Sequence, residues 1–140
     1  MNQLVKDFLE RYEKASSYSD WAAIGRLYAD TFLFGGANGV QVVRKDDFLK
    51  LVPRMKARLA SLGLSETQLQ AVEASVINVK YLLAKAAWKM TVRHFTGART
   101  QLDAFTTYVL ERQEEGMLSI AFQIDHQDLA TVIAGQQTRG

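Results

Sequence analysis

The chain has 140 residues, 48% of them hydrophobic and 23% charged, and a formal net charge of +2. That length suits a single domain, 1–140, with a core that needs no staples. The absence of cysteine excludes disulfides and thiolate chemistry, and so small a net charge leaves no electrostatic footprint for nucleic acid. No uncharged apolar run approaches the roughly 18 residues of a bilayer span. The chain also opens on an amphipathic pattern rather than a signal peptide, so a cytoplasmic protein without a membrane partner is expected.

Leu4, Val5, Phe8, Leu9, Tyr12 and Ala15 share one stripe of a first helix, with Lys6, Asp7, Glu10, Glu13 and Lys14 elsewhere. Ser16 to Ser19 breaks it. Ser19 or Asp20 then caps a second helix, because a short side-chain oxygen can accept from the orphan amides of the next turn. Trp21, Ile24, Leu27 and Tyr28 give that helix its apolar face, and it runs out near Asp30. Thr31 to Phe34 reads as a short strand, Gly35 to Gly39 as a turn that tolerates positive φ, and Val40 to Val43 as the returning strand.

Asp46 and Asp47 suit the positive end of a third helix. Its core stripe is Phe48, Leu51, Val52, Met55, Leu59 and Leu62, with Gly63 as its cap. Pro53 predicts a kink or a division into two short helices. Arg44, Lys45, Lys50, Arg54, Lys56 and Arg58 fall on both flanks of the stripe, as stems that lie beside a core do, rather than in one phosphate-binding band.

From Leu69 to Asp125 the pattern is of long strands cut by two glycine-bearing turns, at Phe95 to Arg99 and Gln113 to Met117. No proline follows Pro53, which suits strands that donate to ladders on both sides. The C-terminal tail is about 129–140: a short apolar patch, Leu129 to Ala134, followed by Gly135 to Gly140, which are expected to fray. The fold class predicted is α+β: three N-terminal helices packed on a strongly curved mixed or antiparallel sheet, forming a cone with one internal cavity.

The segment Arg11 to Asp30, a tyrosine-bearing helix followed by a small-residue and aspartate cap and a helix ending in LeuTyrAlaAsp, resembles the nuclear transport factor 2-like superfamily. The ketosteroid isomerase and polyketide cyclase branch is the most similar, and the order of elements extends the resemblance over nearly the whole chain. The resemblance implies cone-shaped domains that often pair through their sheets, and one pocket that hosts unrelated activities. It places the site and leaves its chemistry open. Tyr12 matches the tyrosine that the isomerase branch keeps on its first helix. The branch's general-base aspartate falls where this chain has Gly35 and Gly36, and its second acidic donor aligns with Tyr108. Steroid isomerisation is therefore not expected. The limonene epoxide hydrolase branch needs an arginine between two aspartates, with one Arg-x-Asp step, and Arg99 and Asp103, four apart, do not reproduce it.

Asp125 and His126 are adjacent on the last strand and so face opposite ways. Regular alternation sets Leu118, Ile120, Phe122 and Ile124 against Ser119, Ala121, Gln123 and Asp125. If the second row lines a cavity, Asp125 is the candidate catalytic acid/base, with its pKa raised by an apolar wall; the alternative is a strand-end aspartate in solvent. A bulge before Asp125 would exchange it with His126. Tyr12, Tyr28, Trp88, Tyr108 and Gln123 are the candidate ligand-binding residues. Ala86, Trp88, Met90 and Val92 form one row, facing either the core or a second subunit, and Lys89 and Arg93 stand on the other side. His94 is a proton shuttle or a solvated rim residue. With two histidines and no cysteine, no metal and no cofactor are expected.

The function expected is binding of an unidentified hydrophobic or carbonyl-bearing small molecule. An isomerase, dehydratase or cyclase is one version, and a non-catalytic binding or protein-assembly module is the alternative. The rows Phe105, Thr107, Val109 and Ala104, Thr106, Tyr108 both lack charge, so the sheet needs two covers, and a homodimer through the sheet face is expected.

Overall fold

A computed structural model describes residues 2–139, with side chains as far as Gln137. The elements run α1 (Asn2–Ser17), α2 (Trp21–Arg26), β1 (Tyr28–Gly36), β2 (Gly39–Arg44), α3 (Lys45–Ser61), β3 (Leu64–Val76), β4 (Tyr81–Arg93), β5 (Arg99–Arg112), β6 (Leu118–Asp125) and α4 (Leu129–Arg139). The six strands form one sheet in the order β2-β1-β6-β5-β4-β3. Among the described residues, only the β1–β6 pair is parallel. The fold is thus α+β with a mixed sheet, but β2 and β3 end as unpaired edges: the sheet is open, not closed or strongly curled as expected.

Helix α1 follows its predicted stripe: Val5, Phe8 and Leu9 are fully buried, each worth about 1.5–3 kcal/mol in removed apolar surface. Asp20 caps α2 by accepting from the Ala23 amide at 3.1 Å. That helix stops at Arg26, earlier than its apolar pattern suggests, and Tyr28 begins β1 instead of ending a helix. The difference matters for the site. Tyr28 pairs in register with Ile120 of β6 and is 2% exposed.

Helix α3 runs through Pro53 as one helix; the lost amide leaves a carbonyl one turn back without its intrahelical donor but does not divide it. Its apolar stripe is not core. None of its residues is fully buried, and Leu51 and Met55 are 51% and 53% exposed. Phe48 does pack, 4.6 Å from the Tyr28 ring and 5.1 Å from that of Phe32. The helix borders a cavity along Val52, Met55 and Leu59, so these side chains meet open space rather than close-packed neighbours. Of its basic residues, Lys45 pairs with Asp30 at 3.3 Å, and Lys56 bonds the Ser16 carbonyl at 2.5 Å and the Ser19 hydroxyl at 2.7 Å.

The long hairpins are cut at the two expected glycines, Gly97 and Gly116, both with positive φ. A third turn joins β3 to β4 without glycine. There the Asn78 side-chain oxygen accepts from the Lys80 and Tyr81 amides, an Asx device that replaces positive φ with a side-chain acceptor. On β4, Ala84, Ala86, Trp88, Met90 and Val92 are all buried. This is the face that the helices cover, so Lys89 and Arg93 stand on the outer face.

The C-terminal segment is not frayed over the described residues. It forms α4, whose Ile133 is fully buried. Gln137 donates to the Leu62 and Arg93 carbonyls and accepts from the Phe95 amide, tying α4 to the α3–β3 turn and the β4–β5 hairpin. Gly140 lies outside the described residues.

Candidate functional site

The site is built by a break in strand periodicity. β5 is regular: Ala104, Thr106, Tyr108 and Leu110 alternate onto the helix-covered face, and all are buried. On β6, Ile120 pairs with Leu110 but Phe122 pairs with Val109, so Ala121 is an extra residue. A bulge of this kind resets the alternation. Leu118 and Ile120 therefore join the core side, and beyond the bulge so do Gln123 and Asp125, opposite Tyr108 and Thr106. The expected segregation of all four apolar β6 residues from Gln123 and Asp125 holds only for Phe122 and Ile124. Because the bulge falls before Phe122, Asp125 keeps its face, and His126 turns outward to bond Thr107 at 2.7 Å.

Between this face and α1 and α3 lies a cavity of about 630 Å³. Tyr12, Trp88, Tyr108, Gln123 and Asp125 all line it. Tyr28 does not; it sits behind Tyr12, with ring centroids 6.0 Å apart. A smaller depression of about 330 Å³ lies between α1 and β3. His94 is outside the main cavity, at the head of the β4–β5 hairpin. It is 6% exposed, with Nε2 on the Thr100 hydroxyl and no partner for Nδ1 among the described residues.

One chain of hydrogen bonds runs through the site. Asp125 Oδ1 accepts from Gln123 Nε2 at 3.1 Å. Gln123 Oε1 accepts from the Tyr28 hydroxyl at 2.5 Å. The Tyr28 and Tyr12 hydroxyls are 2.8 Å apart. Burial disfavours the charged form of each acid here. It raises the Asp125 carboxyl, against a hydrogen bond from Gln123 and the His126 charge, which lower it. It pushes Tyr12 up to about 12 and Tyr28 and Tyr108 well above the ordinary phenol value. The tyrosines are therefore neutral hydrogen-bonding groups, and burial holds the Asp125 carboxyl above the ordinary carboxylate value.

Sequence reasoning misses several walls of the cavity. Met90 lies in the Trp88 row and Phe34 alternates with buried Phe32, and these patterns are the signals that could have found them. Phe48, Ala104 and Leu129 enter only through tertiary packing. Where the isomerase branch keeps its base, Gly35 is buried, and the side a side chain would take is filled by Ile124 and Phe122 rather than facing the cavity. Phe34 supplies the β1 wall instead. Among the described residues, no group of three or more histidine, cysteine or acidic side chains is placed to hold a metal ion.

The sequence matches a family model described as "NTF2-like protein (DUF6841)" over residues 1–127. The chain belongs to this NTF2-like family. Solved structures with the same fold include a variant of Rv3472, a protein of unknown function from Mycobacterium tuberculosis. It is 11% identical, with 98% of this chain and 86% of that one covered and a TM-score of 0.69. Aln2 from a Streptomyces species is 15% identical, with 93% and 92% covered and a TM-score of 0.70. An NTF2-like protein with a cystatin-like fold from Novosphingobium aromaticivorans is 11% identical, with 94% and 86% covered and a TM-score of 0.70. No curated protein matches. At these identities the likeness is one of fold alone. Among the described residues, no helix of this NTF2-like chain is long and apolar enough to cross a membrane.

Proposed function

We propose that the chain binds an apolar small molecule bearing one hydroxyl or carbonyl group, and that Asp125 exchanges a proton with it, as in isomerase, dehydratase or cyclase chemistry. The observation that carries this reading is a desolvated carboxyl sharing one cavity with the Tyr12 and Tyr108 hydroxyls. Apolar walls with a few convergent polar groups are the usual composition of a ligand site. Trp88, Met90 and Phe34 supply the walls, and Gln123 fixes the carboxyl. Steroid isomerisation is not part of the proposal, because the β1 wall carries a phenyl ring and no base.

Titration calorimetry of a panel of aryl alcohols and ketones tests the reading, with wild-type protein beside Ala104→Trp, whose indole fills the cavity. Binding at one molecule per chain that Ala104→Trp abolishes is expected. Binding that survives the substitution, or none across the panel, overturns it.

A second reading concerns the outer face of the sheet, where Leu83 and Ile124 are 39% and 38% exposed beside half-buried Phe105, Val109 and Phe122. An uncovered apolar sheet face of this kind favours a homodimer. The alternative of a protein-assembly module would use the same face.

A further inference from the structure

We propose that Tyr12 meets its ligand as a hydrogen-bond acceptor, and that the chain Tyr12–Tyr28–Gln123–Asp125 sets this polarity from the carboxyl end. The inference rests on the reading of the cavity as a ligand site and goes beyond it, to the hydrogen-bonding class of the ligand.

The polarity follows from a count of protons. An ionised carboxylate only accepts, so Asp125 takes its bond from Gln123 Nε2, which fixes the orientation of the amide. The far end of that amide is then Oε1, which also only accepts, and the Tyr28 hydroxyl must donate to it. A phenol has one proton. With that proton committed to Gln123, the 2.8 Å contact between the two hydroxyls is made by Tyr12 donating to Tyr28. Tyr12 lines the cavity and Tyr28 lies behind it, so Tyr12 turns lone pairs and no proton toward a ligand. A ligand group facing Tyr12 must therefore donate: a hydroxyl, an enol or an N–H. A ketone or ether oxygen there faces another acceptor and leaves buried lone pairs opposed.

Protonation of Asp125 reverses the chain. The proton comes from solvent and stays on the carboxyl, and no other heavy atom gains or loses one. The carboxylic acid donates to Gln123 Oε1 after the amide turns over, Gln123 Nε2 donates to Tyr28, and Tyr28 donates to Tyr12. The Tyr12 proton is then free for a carbonyl. The groups facing Asp125 suit such a two-state device. Tyr12 of α1, Tyr28 of β1 and Tyr108 of β5 are neutral hydroxyls, and His126, the next residue along the chain, is the charge that favours the carboxylate. Glu13 and Lys14 of α1, Lys56 of α3 and Glu66 of β3 line the same cavity. Of these, Glu13 accepts from the Leu69 amide and Lys56 is held by Ser16 and Ser19.

Matched probes test it: 2-naphthol, which donates, and 2-methoxynaphthalene, which cannot. On the alkaline side of the Asp125 titration, the wild-type protein should prefer 2-naphthol by roughly tenfold or more, the size of one buried hydrogen bond made against one left unmade. Tyr12→Phe should bring the ratio close to one. Gln123→Leu, which cuts the chain while keeping the bulk, should lower it as well. Equal affinities in the wild type, or an unchanged ratio in Tyr12→Phe, overturn the inference while leaving the cavity reading intact. Failure of both probes to bind counts against the cavity reading, and the chain is then tested without ligand. The side-chain amide of Gln123 and the Cζ resonances of Tyr12 and Tyr28 should move with the same pH midpoint as Asp125 Cγ. Titration of Asp125 Cγ with the other three stationary overturns the inference.

Discussion

Ile120 and Gln123 lie three residues apart on β6 and face the same side of the sheet, because Ala121 between them is a bulge. One extra residue thus lets two large apolar side chains seal the core while the next two inward positions, Gln123 and Asp125, carry polar groups into the cavity. Deleting Ala121 removes the extra residue and leaves Ile120 and Gln123 two apart, so strict alternation still turns both inward. The deletion variant should therefore keep its fold and the coupled Gln123 and Asp125 resonances. Loss of those resonances would show that Ala121 is not the extra residue that sets the faces.

Stability should fall with rising pH through one carboxyl. Asp125 is raised in the folded protein from its ordinary value of 3.8. The native state therefore holds a proton that the unfolded chain has released, and stability declines between 3.8 and the folded pKa and then levels off. Asp125→Asn removes this dependence, so the variant gains on wild type as pH rises through that window. Denaturant titrations of both proteins across acid to neutral pH check it. A difference that is flat, or that runs the other way, places Asp125 in solvent.

Trp88→Ala should cost on the order of 3 kcal/mol, as large aromatic deletions from packed sites do. Trp88 is 6% exposed and packs 6.2 Å, centroid to centroid, from Tyr12. Chemical denaturation is the measurement, and a loss under about 1 kcal/mol would be too small for a packed indole.

Ile133→Ala should cost roughly 2–4 kcal/mol if α4 is docked as described, because the side chain is fully buried. A cost near zero would show that α4 is not docked through Ile133.

Ile124→Lys should leave the fold intact and shift the protein toward monomer in sedimentation at tens of micromolar, where the wild type is expected to be a dimer. A wild-type monomer under those conditions removes the outer face as an interface.

Much of this is legible in the sequence, for local reasons. The α1 stripe, the Asp20 cap and the Gly97 and Gly116 turns are set by residues close to one another in the chain, and the structure keeps each. The Ala121 bulge is not legible, because a strand's alternation is broken only relative to a partner, and Leu110 lies across a turn on β5. Tyr28 reads as the end of a helix because its spacing continues the α2 stripe, and pairing with Ile120, far along the chain, makes it the start of a strand instead. The third helix reads as core because its periodicity is the same whether the stripe meets side chains or a cavity. Of the site, Tyr12, Trp88, Tyr108, Gln123 and Asp125 can be named from the sequence, and the fold brings them to one cavity. Tyr28 can be named too, but its place is behind Tyr12, as the link that gives Tyr12 its polarity.

Methyl and aromatic chemical-shift mapping with 2-naphthol tests the central claim most directly, because Met90 lines the cavity while Val109 stands on the outer face. The account predicts saturable shifts at the Met90 methyl, the Trp88 indole and the Tyr108 ring, with Val109 unmoved. Shifts confined to Val109 and its outer-face neighbours, or none at Met90 up to the solubility limit of the probe, would contradict it.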